Sequence, residues 1–391
     1  MLTLANPAVS DRDFATHPCP DLHDHLRELR AFGPVVPVMY LGAPAWLVLA
    51  HAEGRAVFGD DVHFDAAVAY AEYAVPPMGR VLQALSGDEH TQQRALASGP
   101  FLPGAVRRLI EPIADKLLDD LAVAATPGEP VDLVWHFTSR LPFTVISTLL
   151  SVPVEHEKKF LEMAVALFTY PWDPEGALAA RKEFDAFFAP ILAEHRACPR
   201  GDFISMVMDA ESDGIRASDE QVMALLRMLV PAGSDTTWKA LGSMFAAVLG
   251  DSRLRALACR GERERAAIAA ESVRREPPVA IMPRACSQSA QLGGAQIKTG
   301  ERVLVAIAAA NRDPAVFDHP GDFDPDRNTA PILSFGGGRH FCLGTHLARR
   351  EMETALDKVL KRFPDMKLAP DKVVEITGTN LRGPRELWVT L

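Results

Sequence analysis

Hydrophobic and polar positions follow two rhythms along this chain. Most of it repeats its apolar residues at helical spacing, which predicts helices over roughly 88–98, 105–125, 132–150, 155–169, 176–197, 219–249, 261–275 and 343–362. A two-residue step takes over at Val38, Tyr40, Trp46, Val48 and Ala50, which predicts two short strands around a turn within 35–51. Further strand signals lie at 295–307 and 385–391. The pattern is that of a mainly α chain with a small β portion. No repeat, low-complexity segment or long linker interrupts it, so one domain over 1–391 is expected, large as that is for a single core.

The 219–249 segment differs from the other helices. Ser218 and Gln221 stand at capping-box spacing, and Gly250 suits the position just past a helix end. Between Val222 and Leu249 the only charges are Arg227, Asp235 and Lys239. A helix apolar on nearly all sides is buried, and at 1.5 Å per residue this one reaches roughly 45 Å, enough to cross the molecule. Pro231 and Gly233 weaken its interior, and a kink is expected there.

Composition narrows the class. The chain of 391 residues is 48% hydrophobic and 24% charged with a formal charge of −10, which speaks against a nucleic-acid partner. Its longest uncharged stretch, 31–50, holds Pro34, Pro37, Pro44, Gly33 and Gly42, so it reads as strands and not as a membrane span. Met1 to Asp13 lacks the basic and apolar regions of a signal peptide. Cys19, Cys198, Cys259, Cys286 and Cys342 are odd in number, widely spaced and free of any CxxC, so neither a disulfide framework nor a zinc site is expected. A cytoplasmic protein with reduced thiols is the reading.

Cys342 has specified neighbours. Phe335-Gly336-Gly337-Gly338-Arg339-His340-Phe341-Cys342-Leu343-Gly344 places one thiol at the end of a glycine-rich turn, just before a helical pattern. Helix N–H groups aimed at the sulfur would lower the thiol pKa and suit an axial ligand to haem iron. Three other constellations accompany it. Glu271 and Arg274 stand three apart on a helix closed by Pro277-Pro278. Ala232-Gly233-Ser234-Asp235-Thr236-Thr237 lies in the middle of the long helix, and His90 and Arg94 share a helix face.

The loop resembles the cysteine-ligand loop of the cytochrome P450 family: Phe, two residues, Gly, one residue, Arg or His, one residue, Cys, one residue, Gly or Ala. The resemblance extends from His90 to Arg382. It implies the P450 fold, a triangular helical prism with haem b between the long central helix and the cysteine-loop helix. It implies Cys342 as proximal iron ligand, in a loop whose Phe335, Gly336 and Gly344 lie close to the cofactor. His90, Arg94, Arg284 and His340 would bind the haem propionates, and Ala232 and Gly233 would offer a small surface to the porphyrin. Asp235 would relay protons and Thr236 would hold the hydrogen bond of dioxygen, the co-substrate. Glu271, Arg274 and Arg327, the last within Phe323-Asp324-Pro325-Asp326-Arg327, would form a structural triad steadying the cysteine loop. Asn311-Arg312-Asp313-Pro314 reads as a helix-ending turn without direct chemistry, and Pro231 is foreign to the pattern.

By the same analogy Phe64, Met78, Val81, Phe168, Leu229, Val279, Ile281 and Leu381 are candidates to line an apolar substrate pocket. The resemblance implies a haem-thiolate monooxygenase acting on a small apolar molecule such as a steroid, terpenoid, fatty acid or aromatic. No fused flavin or iron–sulfur reductase is expected after the last strand signal, so electrons would come from a separate ferredoxin and ferredoxin reductase. Arg339, Arg349, Arg350, Lys358, Lys361 and Arg362 form a basic cluster suited to such an acidic partner. Two alternatives use the same cofactor: a hydrogen-peroxide-dependent peroxygenase, which would not need Asp235 and Thr236, and a non-enzymatic haem sensor or carrier.

Overall fold

The structure is a computed structural model, and it describes residues 10, 12–16, 18–101, 103–153, 156–212 and 214–391. The reading of Met1 to Asp13 falls largely outside these. Ten principal helices are α1 (Leu22–Arg30), α2 (His51–Gly59), α3 (Gly87–Ser98), α4 (Pro103–Ala124), α5 (Arg140–Leu149), α6 (Glu157–Phe168), α7 (Pro174–Ala197), α8 (Asp219–Gly250), α9 (Glu262–Arg275) and α10 (Thr345–Arg362). The five strands of the main sheet are β1 (Val35–Tyr40), β2 (Ala43–Val48), β3 (Phe64–Asp65), β4 (Met282–Cys286) and β5 (Arg302–Val305), in the order β1-β2-β5-β4-β3.

The two-residue step in 35–48 reads out as a hairpin. Val35 pairs with Val48 and Tyr40 with Ala43 across a turn whose two residues, Leu41 and Gly42, have φ of 50° and 67°. Positive φ at both positions matches the twist of the strands it joins. β2 runs parallel to β5, and the other neighbours are antiparallel. Alternation then divides the sheet's apolar residues between two cores. Val36, Val38, Leu47 and Leu304 pack with Leu22, Leu26 and Leu29 of α1. Val35, Trp46, Val48, Val303 and Val305 pack on the other face with Phe58 and Phe64.

The largest core is helical and centres on α8, which packs against α5, α6, α9 and α10. The capping box at Ser218 and Gln221 is formed, with both reciprocal bonds. α8 is one continuous helix of 32 residues through Pro231 and Gly233. Pro231 removes only its own donor, and its buried ring packs within the core that surrounds the helix. The helix expected over 132–150 is divided. Val131–Asp132 joins a small sheet with Trp388–Thr390, Val134–Thr138 forms a π turn, and α5 follows. No helix among the described residues is long and apolar enough to cross a membrane.

Candidate functional site

The cysteine loop is built by backbone constraints. Gly336 and Gly338 have φ of 71° and 62°, the left-handed region that favours glycine. A β-carbon on Gly338 would sit 2.2 Å from the Phe58 carbonyl oxygen, so α2 touches the loop backbone directly. The turn closes where the Cys342 N–H donates to the Phe335 carbonyl at 2.8 Å, and the Thr345 hydroxyl donates to the Cys342 carbonyl at 2.8 Å. Gly344 is different: its φ is −86° and nothing lies within 4 Å of a β-carbon built there, so packing within the chain does not require glycine.

Cys342 lies deep in the protein yet is exposed to solvent-sized space, so it faces an opening inside the fold. Burial pushes its thiol up, and the Thr345 hydroxyl, the Gly344 N–H and Arg94 pull it down without winning. The helix-end N–H acts in the expected direction, and burial outweighs it. In these surroundings a thiolate needs a bound cation to replace its proton.

The loop is tethered to α9. Glu271 accepts two bonds from Arg274, both at 2.7 Å, one from Arg327 at 3.3 Å and one from the Asp324 N–H at 3.0 Å. Glu271 and Arg274 have no exposed surface. Arg274 also donates to the carbonyls of Asn311, Pro320 and Asp322, and Arg327 to those of Asp318 and His319. The three residues therefore meet, and they organise the segment leading into the loop. Sequence reasoning missed the final link. Asn311 accepts from the Leu333 N–H at 2.8 Å and donates to the Ser334 hydroxyl at 2.7 Å, and that hydroxyl donates to the Val273 carbonyl. Asn311 thus bridges the loop and α9, and is more than a helix-ending residue.

A second cluster consists of cations. The rings of His90 and His340 lie 4.4 Å apart, both residues being half-buried or buried. Arg284, on β4, is 3% exposed and stacks over Phe58. His90 Nε2, His340 Nε2 and Arg284 Nε are buried and lack a protein partner. Arg94 has no ion-pair partner among the described residues. His340 is pushed down to about 3, first by burial and then by the neighbouring charges of His90, Arg284, Arg339 and Arg94. His90 is lowered by burial and by Arg94 and Arg339. The basic groups here outnumber the nearby acids, Asp61 and Asp65, and their buried unmatched nitrogens fit an anionic ligand.

Along α8, Leu229, Ala232, Gly233 and Thr236 share a half-exposed face in the middle of an otherwise buried helix. The Thr236 hydroxyl donates back to the Ala232 carbonyl at 2.8 Å. Asp235 Oδ1 accepts from Trp238 Nε1 at 2.6 Å and pairs with Lys239. A β-carbon on Gly233 would lie 2.7 Å from the Ile146 side chain, so the α8 backbone packs closely against α5 here.

The apolar candidates divide. Met78 and Val81 belong to the helical core, with Phe168 and Leu229 partly buried against it. Phe64 lies in the core on one sheet face and Ile281, 1% exposed, in the core on the other, beneath α1. Phe64 and Ile281 thus lie in different cores from the one that Leu229 packs against. Val279 and Leu381 meet in an isolated antiparallel bridge. The basic cluster is mostly neutralised: Arg339 pairs with Asp61, Arg350 with Glu262 and Glu353, Lys358 with Asp115, Lys361 with Asp357 and Arg362 with Asp119. Arg349 stacks on the ring of Phe335 and Arg362 on that of Phe363.

Known proteins share this arrangement. The family model described as Cytochrome P450 matches residues 266–382, which span α9, the Arg327 segment and the cysteine loop. The polyketide biosynthesis cytochrome P450 PksS of Bacillus subtilis is 34% identical over 311 residues, covering 78% of this chain and 76% of that protein. The chain belongs to the cytochrome P450 family. Nocardicin C N-oxygenase of Nocardia uniformis subsp. tsuyamanensis is 32% identical over 95% of this P450 and 96% of its own length. The solved PksS structure superposes with a TM-score of 0.87 at 31% identity, covering 95% of this chain and 97% of that one. P450BioI, solved with an acyl carrier protein bearing hexadec-9Z-enoic acid, gives 0.84 at 26% identity, covering 95% and 98%. This P450 is thus an oxidoreductase of the monooxygenase family, and the family implies haem iron and the use of dioxygen.

Proposed function

We propose that the whole chain acts as one catalytic unit that binds haem b through Cys342 and inserts one oxygen atom from dioxygen into a small apolar molecule. The observation that carries this reading is the pairing of a deep, accessible thiol with a cluster of basic groups whose buried nitrogens on His90, His340 and Arg284 lack protein partners. Cys342 would hold the iron, and His90, Arg94, Arg284 and His340 would hold the two propionates. When bound, haem iron supplies the activation of dioxygen and the transfer of its oxygen atom.

The protein's own residues do the rest. Gly336 and Gly338 let the loop turn so that Cys342 projects from the end of α10. The Phe335 carbonyl, by accepting the Cys342 N–H, fixes the direction of the sulfur. Glu271, Arg274, Arg327 and Asn311 keep that loop in place. Thr236 offers a hydroxyl on the half-exposed face of α8, and Asp235 beside it moves protons toward that face. Leu229 and Ala232 keep the face largely apolar, which favours an apolar substrate and excludes water. The relatives named for polyketide, nocardicin and carrier-bound acyl chemistry make an acyl or polyketide-type substrate the first to try. Electrons would arrive from a separate ferredoxin and its reductase near Arg349, and the cytoplasm is the natural place for that exchange.

The test is spectroscopic. Titration with acyl and polyketide-type compounds should displace iron-bound water and give a type I shift, and reduced protein with carbon monoxide should show the thiolate-type band. Cys342→Ser should lose that band completely. An unchanged band in that variant removes the assignment. Turnover driven equally well by hydrogen peroxide alone would favour the peroxygenase alternative.

A further inference from the structure

Lys239 is not explained by the fold. It is one of three charges in the interior of α8, its side chain is only 13% exposed, and it stands one turn after Asp235 on the same helix face. Its ammonium pairs with Asp235 Oδ1 and lies 4.0 Å from the centroid of the Trp238 ring. The Trp238 indole N–H donates to the same oxygen at 2.6 Å. Among the described residues no protein donor bonds the other oxygen, Oδ2, and the Asp235 side chain is 33% exposed. The carboxylate is therefore held at one oxygen and open at the other.

The lysine stem is itself confined. A β-carbon on Gly383 would lie 2.6 Å from Lys239 Cβ and 2.9 Å from its Cα and Cγ, so the Gly383–Pro384 strand rests directly on the stem. Pro384 in turn presses on Gly242, one turn further along α8. Such packing fixes where the ammonium sits. A surface ion pair made only for solubility has no need of a roof.

We propose that Lys239 is a positioning residue for Asp235: with Trp238 it anchors Oδ1, so that Oδ2 is presented toward the Thr236 face as the proton-carrying atom. The inference rests on the reading of Asp235 as the relay acid. It assigns Lys239 no contact with substrate or cofactor. Its action is charge-dependent, because a neutral side chain would give up the strongest of the two anchors.

The charged groups facing Lys239 are Asp235 on its own helix and Arg385 beyond the Gly383–Pro384 strand. Burial lowers the Lys239 pKa, Asp235 opposes this and Arg385 adds to it, so the anchor is charged below that pKa and lost as pH rises through it. An arginine at the same place stays charged throughout.

The experiment uses haem-loaded protein without substrate. The ferrous form is mixed with oxygen-saturated buffer, its reoxidation is followed by stopped flow across a pH series, and the C–O stretch of the ferrous–CO form is recorded. Wild type should slow on the alkaline side. Lys239→Met should be several-fold slower at neutral pH with a shifted stretch, and Lys239→Arg should match wild type at neutral pH while keeping its rate at alkaline pH. Lys239→Met indistinguishable from wild type in both readouts overturns the proposal. Should Lys239→Met fail to bind haem, the alkaline limb of Lys239→Arg decides alone, and a limb identical to wild type overturns it. Asp235→Asn separates the two readings. If it behaves as wild type, the relay assignment itself fails. If it is slow while Lys239→Met is not, only the positioning role fails.

Discussion

Two charged clusters flank the cysteine loop, and they are built on opposite principles. Around Glu271 every charge is answered: two guanidiniums share one carboxylate and spend their remaining donors on backbone carbonyls, with no surface exposed at Glu271 or Arg274. Around Arg284 the basic groups outnumber the nearby acids, Asp61 and Asp65, and buried nitrogens of His90, His340 and Arg284 go without partners. A satisfied network is complete within the chain and serves the fold. An unsatisfied one costs stability and persists where a ligand completes it. The contrast separates scaffold from binding site with no reference to conservation.

Breaking each cluster should therefore have different consequences. Glu271→Ala removes the only acid from a buried pair and leaves Arg274 uncompensated, so urea denaturation should show a loss of about 3–5 kcal/mol even in the haem-free protein. A loss under 1 kcal/mol would mean the network is ornamental. Glu276 is a second balanced centre, bonded to His23 at 2.9 Å and held by Arg382 and Arg312. Burial alone would raise its pKa, but His23 and the arginines outweigh it and bring it to about 2. A depressed carboxyl contributes stability above its unfolded pKa and loses it as pH falls through the folded one. Stability should thus drop on the order of 3 kcal/mol between about pH 4.5 and 2. In Glu276→Gln that drop should be absent, as acid denaturation curves of the two proteins would reveal. The smallest effect belongs to the unbalanced cluster. Arg284→Met should speed haem transfer to an acceptor such as apomyoglobin about tenfold, or ~1.4 kcal/mol, while leaving the haem-free unfolding midpoint unchanged or higher. A lower midpoint would place Arg284 with the scaffold instead.

The sequence and the structure agree most where a signal is local. The capping box at Ser218, the hairpin around Leu41-Gly42 and the glycine-rich run before Cys342 each declare themselves within a few residues. Strand β4 did not, because its five residues include Pro283 and Arg284 and its identity comes from pairing with β5. The short polar helix α1 was missed too, although Leu22, Leu26 and Leu29 mark its buried face. In the site, Glu271, Arg274 and Arg327 were legible as motif members. Asn311 and Ser334 were not, since their bond joins segments 23 residues apart in the chain. The close packing of Gly233 against Ile146 was not legible either. Contacts of that kind depend on how helices meet, and spacing along one helix does not report them. Likewise the basic cluster looked free in sequence because the acids that neutralise it come from other elements, such as Asp61, Asp115 and Asp119.

The approach of Phe58 to Gly338 sets a limit on how this loop can vary. Two main chains from distant parts of the polypeptide meet there, and neither has a rotamer to change. Variation can explore residues whose side chains point into open space, as at Gly344, and be judged by chemistry. At 338 any replacement is judged earlier, at the moment α2 tries to dock, so that position is governed by assembly and not by the oxidation the enzyme performs.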